Sequence, residues 1–536
     1  MRICSLEIYV IICSLLSFFI SSLGKTSPNF ILVVSDSHSI NAVGAYNGTL
    51  SRTNPTPNLD RIASKSAIFT NAFCSNSSSG PSGATLLTGT HSHINGFLEN
   101  KNNFNFSHDS LPQALQKAGY ETALIGRWDL GSKPLYFDHW KILADPAEKF
   151  NPQFLMENGK KRIEGHVTDI ITDLVIQWLS KRKKNKPYFL MVQYNATSRP
   201  WMPAIRHLNL YDDKILPEPE NLETNYSGKA TPARYQEMGI LEDLDFKEDL
   251  FFKSQLIDEN KTNVQSDNHG KKNLEAMTSE QFSAWTLSWG PRNEALLREI
   301  QAGNSELSLK FQRFAKNYLR CIRGIDENLK RIEEKITDLN SSKIFFIYTS
   351  NQGRMLGEHS WFGSEWIYEE SIRIPLIISS NFSQSSNQII QNLTQNIDIA
   401  PTILEYANLE NLKRTQGKSL YNLLENDDSN QSWRDSIYYH HHKFPGEHMI
   451  AKHYGVRTKL YKLVHFYQFG EWEFYDLVED PKENENLYNI QRFNSKITEM
   501  KKLLNLKRSE YEDKTNISIM PEGWRKIYRG PAARKK

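Results

Sequence analysis

The sequence predicts an α/β protein, with a large, mostly parallel sheet covered by helices and a smaller C-terminal subdomain built on an antiparallel sheet. Three observations carry this prediction. Short, almost unbroken apolar runs recur, such as FILVV at 30–34 and YFLMVQY at 188–194, and such runs suit strands buried on both faces. Segments of helical period lie between them, an alternation that places helices against a sheet. After about residue 430 the pattern becomes alternating and rich in aromatics, as a hairpin requires.

The elements follow in order. Arg2, an apolar run at 8–20 and the small residues Ser21, Ser22 and Gly24 form the pattern of a cleaved export signal over residues 1–24. The run is shorter than the ~20 residues of a membrane span, although Glu7 leaves an uncleaved anchor as the alternative. The mature protein is expected to be secreted, periplasmic or extracellular, with no membrane span after cleavage. The main α/β domain is placed at 25–429. Its strands are predicted at 30–34, 122–125, 188–194, 344–348 and 375–378, and its helices at 59–66, 111–118, 167–179, 307–336 and 397–406. Residues 208–306 are charged, proline-containing and weakly periodic, which suggests a surface insertion. The C-terminal subdomain is placed at 430–536, with strands in 456–466 and 472–477.

Composition narrows the function. Hydrophobic residues make up 39%, charged residues 24%, and the net charge is only +3. No single-sign field is available to release counterions, so no nucleic-acid partner is expected. The ending AARKK at 532–536 reads as a short solvated tail. Of the four cysteines, Cys4 and Cys13 leave with the signal, and Cys74 with Cys321 make no disulfide framework. No CxxC or Cys/His cluster for zinc is evident.

In open α/β sheets, ligands sit at the carboxyl ends of strands. Two predicted strands end in similar polar clusters, Ser35-Asp36-Ser37-His38 and Thr349-Ser350-Asn351-Gln352-Gly353. Residues 76–89, NSSSGPSGATLLTG, open a helix with Pro81 in its first turn. Ser79 would lie just before that helix, where free N–H groups favour an anion.

This last stretch resembles the sulfatase signature C-x-P-S-R-A-x-x-x-T-G, with Ser79 at the cysteine and Gly83 at the arginine. The likeness continues over nearly the whole mature chain. Residues 29–36 resemble the first strand and its metal-binding aspartate. GRWDLG at 126–131 resembles G-K-W-H-L-G, and ATSRPW at 196–201 is similar to A-P-H-x-P-W. SNQG at 350–353, LGEH at 356–359 and YEES at 368–371 resemble S-D-x-G, L-G-E-H and Y-E-E-S. GEH at 446–448 and HYGVR at 453–457 resemble bacterial polysaccharide sulfatases near the N-acetylglucosamine-6-sulfatase and iduronate-sulfatase types.

The resemblance implies an alkaline-phosphatase-like α/β sandwich and hydrolysis of sulfate esters. In the family the signature cysteine, or in some bacteria a serine, is oxidised to formylglycine, whose hydrate attacks sulfur. A calcium ion on Asp and Asn/Gln oxygens polarises the sulfate, as a hard cation requires. Lysines and an arginine balance developing charge, and histidines handle protons.

Carried over position by position, much of this machinery is missing. Ser79 replaces the cysteine and Gly83 the arginine. Arg127 keeps the charge of the first lysine, but Asp129 replaces the histidine that follows. Ser198 stands at the histidine of P-H-x-P, and Ser364 takes the place of the second lysine, with Glu365 adding an anion beside it. The metal set becomes Asp36, Ser37, Asn351 and Gln352, with one carboxylate, so calcium binding is expected to be weakened. His448, His453 and Arg457 are either contacts for a glycan's anionic groups or an ordinary hairpin surface. The expected partner is a sulfated carbohydrate. The leading expectation is a scaffold that has lost hydrolysis, against an active sulfatase using Ser79. A two-zinc phosphatase is a third reading, disfavoured because Ser37, Asn351 and Gln352 are not the Asp/His ligands it needs.

Overall fold

The computed structural model describes residues 27–100, 102–252, 268–339, 343–383, 387–426 and 433–520. The export-signal reading of 1–24 and the basic tail at 532–536 lie outside these. No described helix is long and apolar enough to cross a membrane.

The core is a ten-stranded mixed sheet whose central strands are parallel. Asn29–Ser35 pairs in parallel with Tyr188–Tyr194 on one side and Ile344–Ser350 on the other. Glu121–Gly126 extends the parallel set beyond Tyr188–Tyr194. Leu376–Ser380 runs antiparallel to Ile344–Ser350. Every residue of Asn29–Ser35 and Ile344–Ser350 is buried, which accounts for their unbroken apolar sequences: helices cover both faces. Pro57–Ala63, Val167–Lys181 and the 33-residue Glu306–Asp338 supply part of that cover. All five predicted strands and all five predicted helices form, with small shifts at their ends.

The stretch predicted as a weakly periodic insertion holds more structure than its pattern suggests. Ser279–Gln301 is a 23-residue helix whose capping box joins Thr278 and Gln281. Trp285 and Trp289, one turn apart, pack with Phe150, Met202, Leu208 and Phe251 in a satellite core. Two tryptophans in a polar helix give too narrow a stripe to register as amphipathic.

A second, antiparallel sheet is formed by Ser436–His441, His453–Thr458, Tyr461–Phe466 and Glu471–Asp476. The helix Asn494–Glu510 lies on it. A buried ion network ties this sheet to the main domain. Lys462 bridges Glu369 at 2.9 Å and Glu483 at 2.7 Å, and Arg457 pairs with Glu369 at 3.1 Å.

Candidate active site

The site lies at the carboxyl end of the central strand. Asp36 follows Asn29–Ser35 and is 3% exposed. Ser37 has φ 54°, a left-handed conformation that a non-glycine residue adopts at a cost of about 1–3 kcal/mol. Its neighbours hold it there. The Ser37 N–H donates to Asn351 Oδ1 at 3.0 Å, and its carbonyl accepts from the Tyr318 hydroxyl at 2.9 Å. The His38 N–H donates to Ser350 Oγ at 2.9 Å. These bonds lace together the ends of two parallel strands, so the polar clusters at 35–38 and 349–353 meet.

Ser79 arrives from a fully buried helix, Ser79–Thr88, stopped by Gly89 at φ 63°. The helix begins at Ser79 itself, which is its first residue rather than the one just before it. The Ser79 hydroxyl donates to Asp36 Oδ1 at 2.9 Å. Gly83 sits four residues on, on the same helical face. A Cβ there would find Leu130 Cδ2 at 3.9 Å and nothing nearer, so packing does not require glycine.

Arg127 is brought in by the next strand over. Gly126, which ends Glu121–Gly126, has φ 119°, and a Cβ there would lie 2.0 Å from the Gln193 carbonyl oxygen. Only glycine allows this approach. Arg127 Nη1 bonds Asp36 Oδ2, and its Nε donates to Asp129 Oδ2 at 2.5 Å. Asn351 Nδ2 donates to Asp36 Oδ1 at 2.7 Å. Both Asp36 oxygens therefore accept from side chains. Burial pushes the Asp129 carboxyl upward; Arg127 opposes this and the charge of Asp36 adds to it.

The remaining predicted metal residue is part of the same network. Gln352 Nε2 donates to Ser37 Oγ at 2.8 Å and to Ser364 Oγ at 3.1 Å. Gln352 Oε1 is buried without a hydrogen-bond partner. Glu365, at φ 75°, accepts from Ser78 Oγ at 2.9 Å. An anion thus reaches the residue preceding the helix of Ser79.

Ser198 belongs to the site's wall through a residue the sequence did not single out. Its hydroxyl accepts from Lys149 Nζ at 3.0 Å, and the same ammonium donates to the Asn195 carbonyl at 2.6 Å. Lys149 is wholly buried, and its pKa is pushed down to about 7 by loss of solvent first and the charge of Arg127 second. In the sequence it is one of many lysines, in EKFNPQF, with nothing to mark it as buried.

His453 and Arg457 bond to groups outside the Ser79–Asp36–Arg127 network. His448 packs edge-on to Phe362, with ring centres 5.3 Å apart. His453 is buried, bonds the Ala451 carbonyl at 2.7 Å and stacks on Trp366 at 5.3 Å. Phe362 and Trp366 bracket Ser364, so the two histidines support that loop. Arg457 is held in its ion pair with Glu369 and lies over the Phe73 ring at 4.7 Å.

Comparison by sequence points to one family, whereas solved structures of similar fold at 16–17% identity include phosphonate monoester hydrolases. A sulfatase profile matches residues 28–409, and one for the C-terminal part of N-sulphoglucosamine sulphohydrolase matches 357–510. The chain is 39% identical over 495 residues to an N-acetylglucosamine-6-O-sulfatase of Bacteroides thetaiotaomicron, covering 91% of this chain and 87% of that protein. It is 24% identical to an arylsulfatase of Clostridium perfringens, covering 89% and 93%. A solved structure in complex with its substrate, D-glucosamine-2-N,6-O-disulfate, superposes with a TM-score of 0.84 at 36% identity, covering 91% of this chain and 99% of that one. By sequence, fold and the position of its strand-end cluster, the chain belongs to the sulfatase family.

Proposed function

We propose that this chain is an exported sulfatase-family protein that binds a sulfated amino sugar and has lost most of its sulfate-ester hydrolysis. The observation that carries the reading is the Arg127 guanidinium on the Asp36 carboxylate. Sulfatases generally hold a divalent metal at this place, and a hard dication wants several anionic oxygens. Asp36 is the one carboxylate among the four donor positions, and Arg127 already balances it. Asn351 Oδ1 is taken by the Ser37 N–H, which leaves Gln352 Oε1 as a donor without a partner. That set does not fit a firmly held calcium ion.

The charge balance around a sulfate points the same way. Asp36, Asp129 and Glu365 stand against Arg127 and Lys149, and Gly83 and Ser364 contribute no cation. Loss of one preorganised donor costs about 10²–10³ in rate. Several such losses do not simply multiply, but little catalysis remains. The ligand class is supported by the curated relative at 39% identity and the solved structure at 36%, whose names specify sulfated glucosamines. Export is supported by the pattern of residues 1–24.

A second reading has one observation in its favour. Ser79 Oγ lies 2.9 Å from Asp36 Oδ1, the arrangement of a hydroxyl nucleophile beside a base. Arg127 and Asn351 already occupy that carboxylate, which weakens this reading. Intact-mass analysis with calcium titration separates the two. We expect an unmodified Ser79 and no saturable calcium binding tighter than about 1 mM. An aldehyde at Ser79, seen as the loss of two hydrogens, together with micromolar calcium binding, would favour the enzyme.

A further inference from the structure

The Tyr-Tyr-His-His-His run at 438–442 plays no part in the site described above. Strand alternation turns His440 and His442 to one face of Ser436–His441 and its extension, and His441 to the other. His441 stacks on His453 at 5.5 Å, whereas the His440 and His442 rings lie 3.6 Å apart. His93, from the short helix Ser92–Asn95, joins them. One ring nitrogen from each of His93, His440 and His442 lies within 4.8 Å of the other two. Local spacing shows no zinc cluster because this third histidine lies some 350 residues from the pair.

We infer that His93, His440 and His442 form a second metal site, selective for a borderline transition dication such as Zn²⁺.

The hydrogen bonds fix which nitrogens are available. His93 Nε2 lies 2.8 Å from the Tyr511 carbonyl, which can only accept, so Nε2 carries the hydrogen and Nδ1 the lone pair. His440 Nδ1 lies 2.6 Å from Asp513 Oδ2, which assigns the lone pair to Nε2. This is the second layer of a zinc site, where each ligating imidazole donates its other N–H to a carbonyl or carboxylate. His93 Nδ1 and His442 Nε2 are both buried without a hydrogen-bond partner. A buried ring nitrogen left unpaired is costly, and one cation satisfies both at once. His440 Nε2 faces only the Tyr467 hydroxyl, at 3.3 Å.

Donor chemistry selects the ion. Neutral imidazoles suit zinc, copper and nickel, whereas calcium wants oxygen. Zn–N bonds of about 2.0–2.1 Å draw three nitrogens to about 3.3 Å from one another, so the rings, now within 4.8 Å, close by at most about 1.5 Å. His93, only half-buried, has room to do so. Three protein ligands leave a fourth position open. His93 and His442 also line a cavity of about 440 Å³ with Arg414, Lys452, Lys514 and Tyr467, through which an ion and a water ligand can enter.

The test uses the full exported chain, untagged and stripped of metal, titrated with Zn²⁺ against a chromophoric chelator. Wild type should bind one equivalent that His442→Gln loses, and Asp513→Asn should weaken it about 10–100-fold. The melting temperature of the metal-free protein should be the same for wild type and His442→Gln, with the zinc-induced rise seen only in wild type. Should His442→Gln fail to fold, Co²⁺ bound to wild type decides, since four-coordinate cobalt gives intense visible bands. No zinc uptake by wild type, an undiminished equivalent in His442→Gln, or a weak six-coordinate cobalt spectrum would each overturn the site.

Discussion

Replacing Lys149 by methionine tests the electrostatics of the site's wall. The ammonium is wholly buried among the Pro146 and Asn195 carbonyls and the Ser198 hydroxyl. Desolvation, then Arg127, lowers its pKa from 10.5 to about 7. A lowered lysine pKa means that the unfolded chain binds more protons than the folded one between about pH 7 and 10.5, so stability rises with pH across that window. A shift of about 3.5 units at 1.36 kcal/mol each makes the charged form cost about 5 kcal/mol below pH 7, as an order of magnitude. Methionine keeps the length and has no proton to lose. Urea unfolding of both proteins at about pH 6 and about pH 8.5 should show wild type gaining about 2 kcal/mol on Lys149→Met between the two. A change under about 0.5 kcal/mol, the error of such differences, would refute the claim that this lysine is desolvated beside Arg127.

Other consequences follow from single contacts. Gly126→Ala should destabilise by more than about 3 kcal/mol in denaturant melts, since its φ and the Gln193 carbonyl both exclude a Cβ; wild-type stability would show that the strand end can shift. Gly83→Ala should instead stabilise by about 0.5–1 kcal/mol, as glycine replaced by alanine inside a helix does, and a loss of stability would contradict the open space beside Gly83. Glu369→Gln should cost about 3–5 kcal/mol by leaving Arg457 and Lys462 buried with too little negative charge. Burial alone would raise the Glu369 pKa, but Arg457 and Lys462 outweigh it and hold the carboxyl well below the ordinary glutamate value of 4.5. Its contribution is therefore complete above that value and is lost as pH falls below it, so the variant should show a shallower acid transition.

The central sheet was legible because strands buried on both faces have no polar residues to interrupt them, as FILVV and IFFIY illustrate. The strand-end site was legible because Asp36, Ser79, Arg127, Asn351 and Gln352 keep their order in family motifs, and the fold brings them into one hydrogen-bonded network. Burial was not legible. His453 and Arg457 read equally well as glycan contacts or hairpin surface, yet one is stacked behind Trp366 and the other is paired with Glu369. Lys149 was invisible for the same reason: its surroundings come from segments 46–49 residues away. The three-histidine cluster depends on a contact across most of the chain, which local spacing does not encode.

Under the proposed function, Arg127 on Asp36, with Gly83, Ser198 and Ser364 in place of charged or proton-carrying groups, leaves a binding site with little hydrolysis. The most direct test is sulfate release from glucosamine 6-sulfate and glucosamine 2-N,6-O-disulfate by the purified protein, with Ser79→Ala alongside. Wild type should release sulfate at a rate close to that of Ser79→Ala. Turnover by wild type that Ser79→Ala abolishes would contradict it.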